Sequence, residues 1–225
     1  MKQVAEGVWR LSEFPPLPLP VPLINVYLAG DVLIDAGRNW DAGRILKQTA
    51  DRELSLLALT HAHPDHQGAA DAVCEQRGIP LACHADDVDR MEGRVPLRAT
   101  DAPIARVFEK LWAGPTRKVD RVLKEGDEVG GFRVVHSPGH CPGQVVYWRE
   151  PDRVAICGDT LRNVSFLTLR PRLDEMTESI TPDVDEARRS IRKLANLRPE
   201  VTLPGHGPPI RGAAPIAGLA DRLGV

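Results

Sequence analysis

The chain has 225 residues, 42% of them hydrophobic and 27% charged, with a formal net charge of -2. That size suits one large domain with a well-buried core, and the near-neutral balance gives no general pull toward nucleic acid or anionic lipid. No run approaches the roughly 18 apolar residues of a membrane span, the opening residues lack the apolar core of a secretory signal, and the four cysteines show no CxxC spacing. A cytoplasmic single domain over residues 1–225, with free thiols, is the expectation.

Taken in order, Val4 to Leu11 reads as a strand. Prolines then crowd the stretch from Phe14 to Pro22, where missing donors and fixed φ angles forbid a helix or a central strand. A stiff connector and an apolar flap beside a pocket both fit that stretch. Two short strands follow, Ile24 to Ala29 and Val32 to Ala36, joined at Gly30-Asp31 as a hairpin. Asn39 or Asp41 is placed to cap a helix running toward Ala50.

Leu56 to Thr60 reads as a buried strand, and directly behind it stand His61, His63, Asp65 and His66, with three of the chain's seven histidines. Imidazole nitrogens and carboxylate oxygens are the donors that zinc and similar divalent ions favour. Gly68 to Arg77 reads as a helix stopped by Gly78, and Ile79 to Cys83 as a strand followed by His84, taken as a surface or structural histidine. Asp86 to Val119 is the least regular section. Within it Ile104, Val107, Phe108, Leu111 and Trp112 follow helical spacing and are expected to pack in the core.

The second half rebuilds the pattern of the first. Phe132 to His136 is a strand that ends in Ser137-Pro138-Gly139-His140, and Cys141 beyond it reads as a packed thiol. Gln144 to Arg149 and Arg153 to Cys157 form a strand–turn–strand that delivers Asp159, much as the first hairpin delivers Asp35: a weak internal duplication. Val184, Ala187, Ile191 and Leu194 mark a helix, and Val201 to Leu203 is a last strand running into Gly205-His206. His61, His63, Asp65, His66, His140, Asp159 and His206 thus all follow apolar strands, and loops leaving one edge of a rigid sheet can converge. Seven N/O donors exceed one tetrahedral ion and suit two with a shared carboxylate.

At these motifs the sequence resembles the metallo-β-lactamase-fold superfamily. The family's HxHxDH stands as His61-Ala62-His63-Pro64-Asp65-His66, and its later donors as His140 in Pro-Gly-His, Asp159 in Gly-Asp-Thr and His206 in Pro-Gly-His-Gly. The resemblance implies an α+β fold, a four-layer αββα sandwich of two mixed β-sheets flanked by helices, with metals at one edge. It implies that His61, His63 and His140 hold one ion, that Asp65, His66 and His206 hold a second, and that Asp159 bridges them. Two divalent ions are expected, zinc (Zn2+) first, with Mn2+ or Fe2+ as alternatives.

The activity so implied is glyoxalase-II-like hydrolysis, in which a metal-bridged hydroxide attacks a small ester-like substrate, a thioester or a lactone. Asp65 is a candidate proton acceptor besides its ligand role. The competing reading within the same fold is a mononuclear iron persulfide dioxygenase, with iron on His61, His140 and Asp159. Asp35, Thr60 and Thr160 are expected to orient or support the ligand loops. Arg162 and Asn163, followed by Arg170 and Arg172, are candidates for gripping an anionic part of the substrate. Tyr27 and Tyr147 fall within strands, away from where family lactonases carry a tyrosine. A small-molecule substrate is expected, with no nucleic-acid or membrane partner and a homodimer left open.

Overall fold

A computed structural model gives the structure of the protein and describes residues 1–11 and 23–225. The proline-rich stretch from Phe14 to Pro22 lies outside the described residues. Among those residues the first half builds a seven-stranded sheet in simple spatial order: β1 (Lys2–Ala5), β2 (Val8–Arg10), β3 (Tyr27–Ala29), β4 (Val32–Ile34), β5 (Leu56–Ala58), β6 (Leu81–His84) and β7 (Arg121–Leu123). The expected single strand from Val4 to Leu11 is instead part of a hairpin, because Gly7 at φ 62° turns the chain. β3 and β4 pair antiparallel through the Gly30 turn, and β4 to β7 run parallel. Parallel neighbours need crossovers. Helices α1 (Ala42–Gln48), α2 (Pro64–Gln67), α3 (Ala70–Arg77), α4 (Val88–Met91) and α5 (Pro103–Trp112) lie in these connections.

The second half builds a six-stranded sheet from β8 (Glu128–Val129), β9 (Phe132–His136), β10 (Val145–Arg149), β11 (Val154–Gly158), β14 (Val201–Pro204) and β15 (Ile210–Arg211), in the order β15-β14-β11-β10-β9-β8. A small ribbon of β12 (Arg162–Asn163) and β13 (Leu173–Asp174) interrupts it. α6 (Val184–Asn196) and α7 (Ala214–Arg222) cover its outer face. Each sheet therefore contains an antiparallel pair, β3–β4 or β10–β11, followed by a crossover to a parallel strand, β5 or β14.

Three apolar layers hold this together. Tyr27, Ile34 and Ala58 of the first sheet meet Val134, Tyr147 and Ile156 of the second in the central core. Leu33, Leu57 and Leu81 on the other face of the first sheet pack on Ile45 of α1, Val73 of α3 and Met91 of α4. Val146, Ala155 and Cys157 pack on Ile191 and Leu194 of α6 and on Ile216 and Leu219 of α7. Strands covered on both faces read as continuous apolar runs, and β4, β5 and β11 are buried at every residue. The architecture is the four-layer αββα sandwich.

Local chemistry sets the helix limits. Asp183 caps α6 by accepting from Glu186 N at 2.9 Å, and Gly78 at φ 64° ends α3. Asp41 stands at the N-cap of α1, but its carboxylate accepts from Arg38 N instead of from the helix. The expected helix from Gly68 to Arg77 starts at Ala70, because Pro64 has already begun a separate turn, α2, inside the histidine motif. All four cysteines are free and buried. Among the described residues no helix is long and apolar enough to cross a membrane.

Candidate metal centre

The donor residues sit where strands end. His61 and His63 follow β5, Asp65 and His66 ride on α2, His140 lies between β9 and β10, and Asp159 and His206 follow β11 and β14. All five histidines and Asp159 are buried, at 5% relative exposure or less. His61, His63 and His140 form one group whose donor atoms lie within 4.8 Å of one another; His61, His66 and Asp159 form a second, and Asp65, His66 and His206 a third. A tetrahedral sphere with bonds of about 2.0–2.1 Å sets donors roughly 3.3 Å apart. His63 Nδ1 lies 3.0 Å from His140 Nε2, His66 Nε2 lies 3.4 Å from Asp159 Oδ1, and His206 Nε2 lies 3.4 Å from Asp65 Oδ2. Asp159 Oδ2 approaches both His206 Nε2 (3.0 Å) and His140 Nε2 (3.5 Å), so this one carboxylate touches both halves of the cluster.

Buried polar atoms are normally hydrogen-bonded. Here Nε2 of His61, His63 and His66 and Oδ1 of Asp159 have no hydrogen-bond partner. The far sides of the rings are, by contrast, well held. Asp35 Oδ2 stands 2.9 Å from His66 Nδ1, Thr60 Oγ1 stands 3.1 Å from His61 Nδ1, and the Leu23 carbonyl accepts from His206 Nδ1. Fixing a proton on Nδ1 turns the Nε2 lone pair inward. At His61 and His66 an orphaned inward nitrogen beside a partnered outward one fits a metal ion, while His63 offers Nδ1, 3.0 Å from His140 Nε2.

A fourth trio, His84, Asp86 and His136, fails the same test. His84 Nδ1 accepts from Asp86 N (3.3 Å), and His136 Nε2 donates to the Pro142 carbonyl (2.8 Å), so neither nitrogen stands idle. His84 is a buried structural histidine, its ring stacked on His136 at 4.1 Å.

Charge within the cluster is sharply divided. Burial, aided by neighbouring imidazoles, holds His61 and His63 well below the ordinary histidine pKa and lowers His140 to about 4. Burial also opposes a proton on His66, but the carboxylates of Asp159, Asp35 and Asp65 outweigh it and raise that pKa. His206 is raised to about 9, with burial again overcome by Asp159 and Asp65. Burial disfavours the Asp159 anion, yet His206 and His66 together hold its pKa well below the usual carboxylate range.

The loops are fixed by polar side chains behind them. Asp35, at φ 64°, accepts from Thr60 N (2.7 Å) and from Thr60 Oγ1 (2.8 Å). Thr160 Oγ1 meets Ser137 Oγ at 2.8 Å and accepts from Gln144 Nε2 at 2.9 Å, bracing the loop that carries His140. The two tyrosines act as a cross-strapped pair. Tyr27 of the first sheet donates to the Pro204 carbonyl just before His206, and Tyr147 of the second donates to the Leu59 carbonyl just before His61, at 2.8 and 2.7 Å.

Asp87 is the functional residue that sequence reading missed. Fully buried, it accepts from Ala62 N (2.8 Å), Cys141 Sγ (3.0 Å) and Gly143 N (3.1 Å), tying the first histidine loop to the second. Its signal was position alone: like Asp35 and Asp159, it follows a buried strand, β6, by a few residues.

A cavity of about 340 Å³ opens over the donors, with His63, Asp65, His140, Asp159 and His206 in its wall. The expected substrate-gripping pair is placed elsewhere. Arg162 pairs with Asp174 at 3.6 Å and Asn163 donates to the Pro208 carbonyl at 2.9 Å, and neither lines the cavity. The stripe of α5 also departs from expectation: Ile104, Val107 and Leu111 are exposed, and Ile104, Phe108 and Trp112 line the cavity instead of joining the core.

Residues 20–206 match the profile of the metallo-beta-lactamase superfamily, a match that runs from before β3 to the last of the donors. The chain is 30% identical to the probable metallo-hydrolase YflN of Bacillus subtilis, over 91% of this chain and 89% of that one. The crystal structure of TTHA1623 in a di-iron-bound form is similar at a TM-score of 0.66 and 30% identity, covering 91% of this chain and 94% of that one. BLEG-1, a B3 metallo-beta-lactamase, is similar at a TM-score of 0.67 and 25% identity, covering 92% and 94%. With fold, donor set and sequence in agreement, the chain belongs to the metallo-beta-lactamase superfamily.

Proposed function

We propose that the protein is a hydrolase that holds two divalent metal ions and cleaves a small ester-like substrate, a thioester or a lactone. The observation that carries this reading is the cluster of buried donors, several with orphaned atoms, of which His63, Asp65, His140, Asp159 and His206 line an open cavity. His61, His63 and His140 would hold one ion, Asp65, His66 and His206 the other, and Asp159 would reach both. Such a pair, when bound, supplies a water of lowered pKa and an electrophile for the carbonyl oxygen.

The remaining work falls to the chain. Asp35 and the Leu23 carbonyl keep His66 and His206 in the tautomer whose Nε2 faces inward. Asp65, in the cavity wall, would take up the proton of the attacking water. In the reaction the acyl–heteroatom bond breaks, the water oxygen joins the carbonyl carbon, and the departing thiol or alcohol receives the proton. Neither tyrosine hydroxyl is available for this, since both are bound to strand-end carbonyls. The name of YflN, a probable metallo-hydrolase, supports hydrolysis, and the di-iron form of TTHA1623 supports a two-metal site.

Elemental analysis of the purified protein, joined to an ester, thioester and lactone panel, tests the proposal. The expected result is near two zinc or manganese per chain and hydrolysis that chelation abolishes and metal restores. One iron per chain, with oxygen consumed on glutathione persulfide, would overturn it.

A further inference from the structure

α5 has an apolar face that the core does not use. Ile104, Val107 and Leu111 are 44%, 47% and 52% exposed, and only Ala105 of this helix is buried. The helix is nevertheless firmly mounted. Asn39 N donates to the Trp112 carbonyl at 2.9 Å, and Asn39 Nδ2 donates to the carbonyls of Leu111 and Ala113 at 3.1 Å, closing the last turn. A Cβ at Gly68 would stand 2.5 Å from the Trp112 carbonyl oxygen, so glycine there is what lets the helix end settle beside α2. Ahead of the helix, Thr100 Oγ1 donates to the Ser179 carbonyl at 2.7 Å, a tie to the turn that forms the facing side of the cavity.

The result is a fixed apolar wall beside the donor cluster. Ile104, Phe108 and Trp112 line one side, the last two stacked at 4.2 Å, and Met176 and Ile180 line the other. Phe166 meets the His206 ring edge-on at 5.4 Å. The guanidinium groups in this wall are paired with carboxylates, Asp41 being shared between Arg38 and Arg44. Arg38 is held by Asp41 at 3.1 Å, and Arg98 by Asp101 and Glu109 at 2.9 Å each. An anionic substrate arm would find these guanidinium groups partly engaged by carboxylates, whereas an alkyl chain meets surface that gains by leaving water.

We propose that the cavity takes an uncharged apolar acyl chain, and that the substrate is a medium-chain acyl ester, thioester or lactone and not a short or anionic one. The inference rests on the hydrolase reading for the reaction, but the acyl site stands on the wall alone. About 340 Å³ holds roughly ten water-sized groups at about 30 Å³ each. Part of that space lies over the donors and takes the reacting carbonyl, and the remainder suits a chain of medium length. A buried methylene contributes about 0.8 kcal/mol, which is about fourfold in an equilibrium or rate constant.

Two series test this. In the zinc-loaded protein, kcat/KM for p-nitrophenyl esters from acetate to decanoate is expected to rise two- to fourfold per methylene, and acyl-glutathione thioesters of equal chain length are expected to fare worse. In metal-free protein, calorimetry with 2-alkanones, which are uncharged and cannot be hydrolysed, is expected to give the same slope in affinity. Ile104→Ser and Phe108→Ser, on a helix that contributes little to the core, should flatten both slopes and leave metal content unchanged. A flat ketone series, or a preference for acetate or for glutathione thioesters, overturns the acyl site even if hydrolysis is found. A rising ketone series with no ester cleaved upholds the acyl site and takes down the hydrolase reading instead.

Discussion

Asp35→Asn isolates what the carboxylate behind His66 contributes. Asp35 is 1% exposed and receives Thr60 N at 2.7 Å, Thr60 Oγ1 at 2.8 Å and His66 Nδ1 at 2.9 Å. Asparagine keeps the size, tolerates the left-handed backbone at φ 64°, and retains one oxygen for Thr60 N. It presents an NH2 group to His66, so Nδ1 must become the acceptor and the ring proton moves to Nε2. That nitrogen, 3.4 Å from Asp159 Oδ1, then points a proton where a metal is to bind. Loss of such an orienting partner costs about 10- to 100-fold in metal affinity, or about 1.4–2.7 kcal/mol. In the metal-free protein two charge-assisted hydrogen bonds weaken, at about 1.5 kcal/mol each, so Tm should fall by roughly 6–12 °C. Competition with a chromogenic chelator measures the first effect and thermal melts the second. If the variant binds metal with wild-type affinity, the tautomer argument is wrong.

Three further outcomes follow from the same geometry. A Cβ at Gly205 would stand 2.2 Å from Asp159 Oδ1 and 2.7 Å from His66 Cε1, so Gly205→Ala should lose metal on dialysis while its circular dichroism stays native. Tyr147→Phe leaves the buried Leu59 carbonyl without its side-chain donor and should lower stability by about 1–2 kcal/mol in denaturant titrations, whereas after Tyr27→Phe the Pro204 carbonyl still accepts from Asn25 Nδ2 at 2.8 Å and the loss should be about 0.5–1 kcal/mol. In the metal-free protein the raised His206, near 9, contributes stability that is full below about pH 6.5 and gone once pH passes 9. His140, lowered to about 4, acts in the opposite sense: its contribution is present above about pH 6.5 and lost as pH falls toward 4. Melting temperature against pH should therefore peak between these limits, and zinc added at pH 7.5 should release the His206 proton to an indicator dye.

The donor set was readable because each member follows a strand whose apolar run is itself unmistakable, as Leu56 to Ala58 before His61 or Val201 to Leu203 before His206. Periodicity could say that α5 has an apolar face. It could not say whether that face looks at the core or at a cavity, since both demand the same residues. Asn39 was weighed as a cap for α1, but it closes the C-terminus of α5, a partner more than seventy residues away that no local rule reaches. Asp87 was missed for the same reason: its three donors lie on two distant loops. Arg162 and Asn163 follow Asp159 closely, but the β12–β13 ribbon turns their side chains toward Asp174 and Pro208.

The cross-strapped tyrosines and the bridging Asp159 place the cluster on the seam between the two sheets, and this has a consequence for how the protein is made. His61, His63, Asp65 and His66 leave the ribosome long before His140, Asp159 and His206. A nascent chain that has completed only the first sheet offers an open, partial set of donors, weak for any ion. The full set is complete only once β14, which leads to His206, has paired beside β11. If the cluster holds metal as proposed, tight capture would be a late event in biogenesis, and bound metal would report that both halves have been synthesised and assembled.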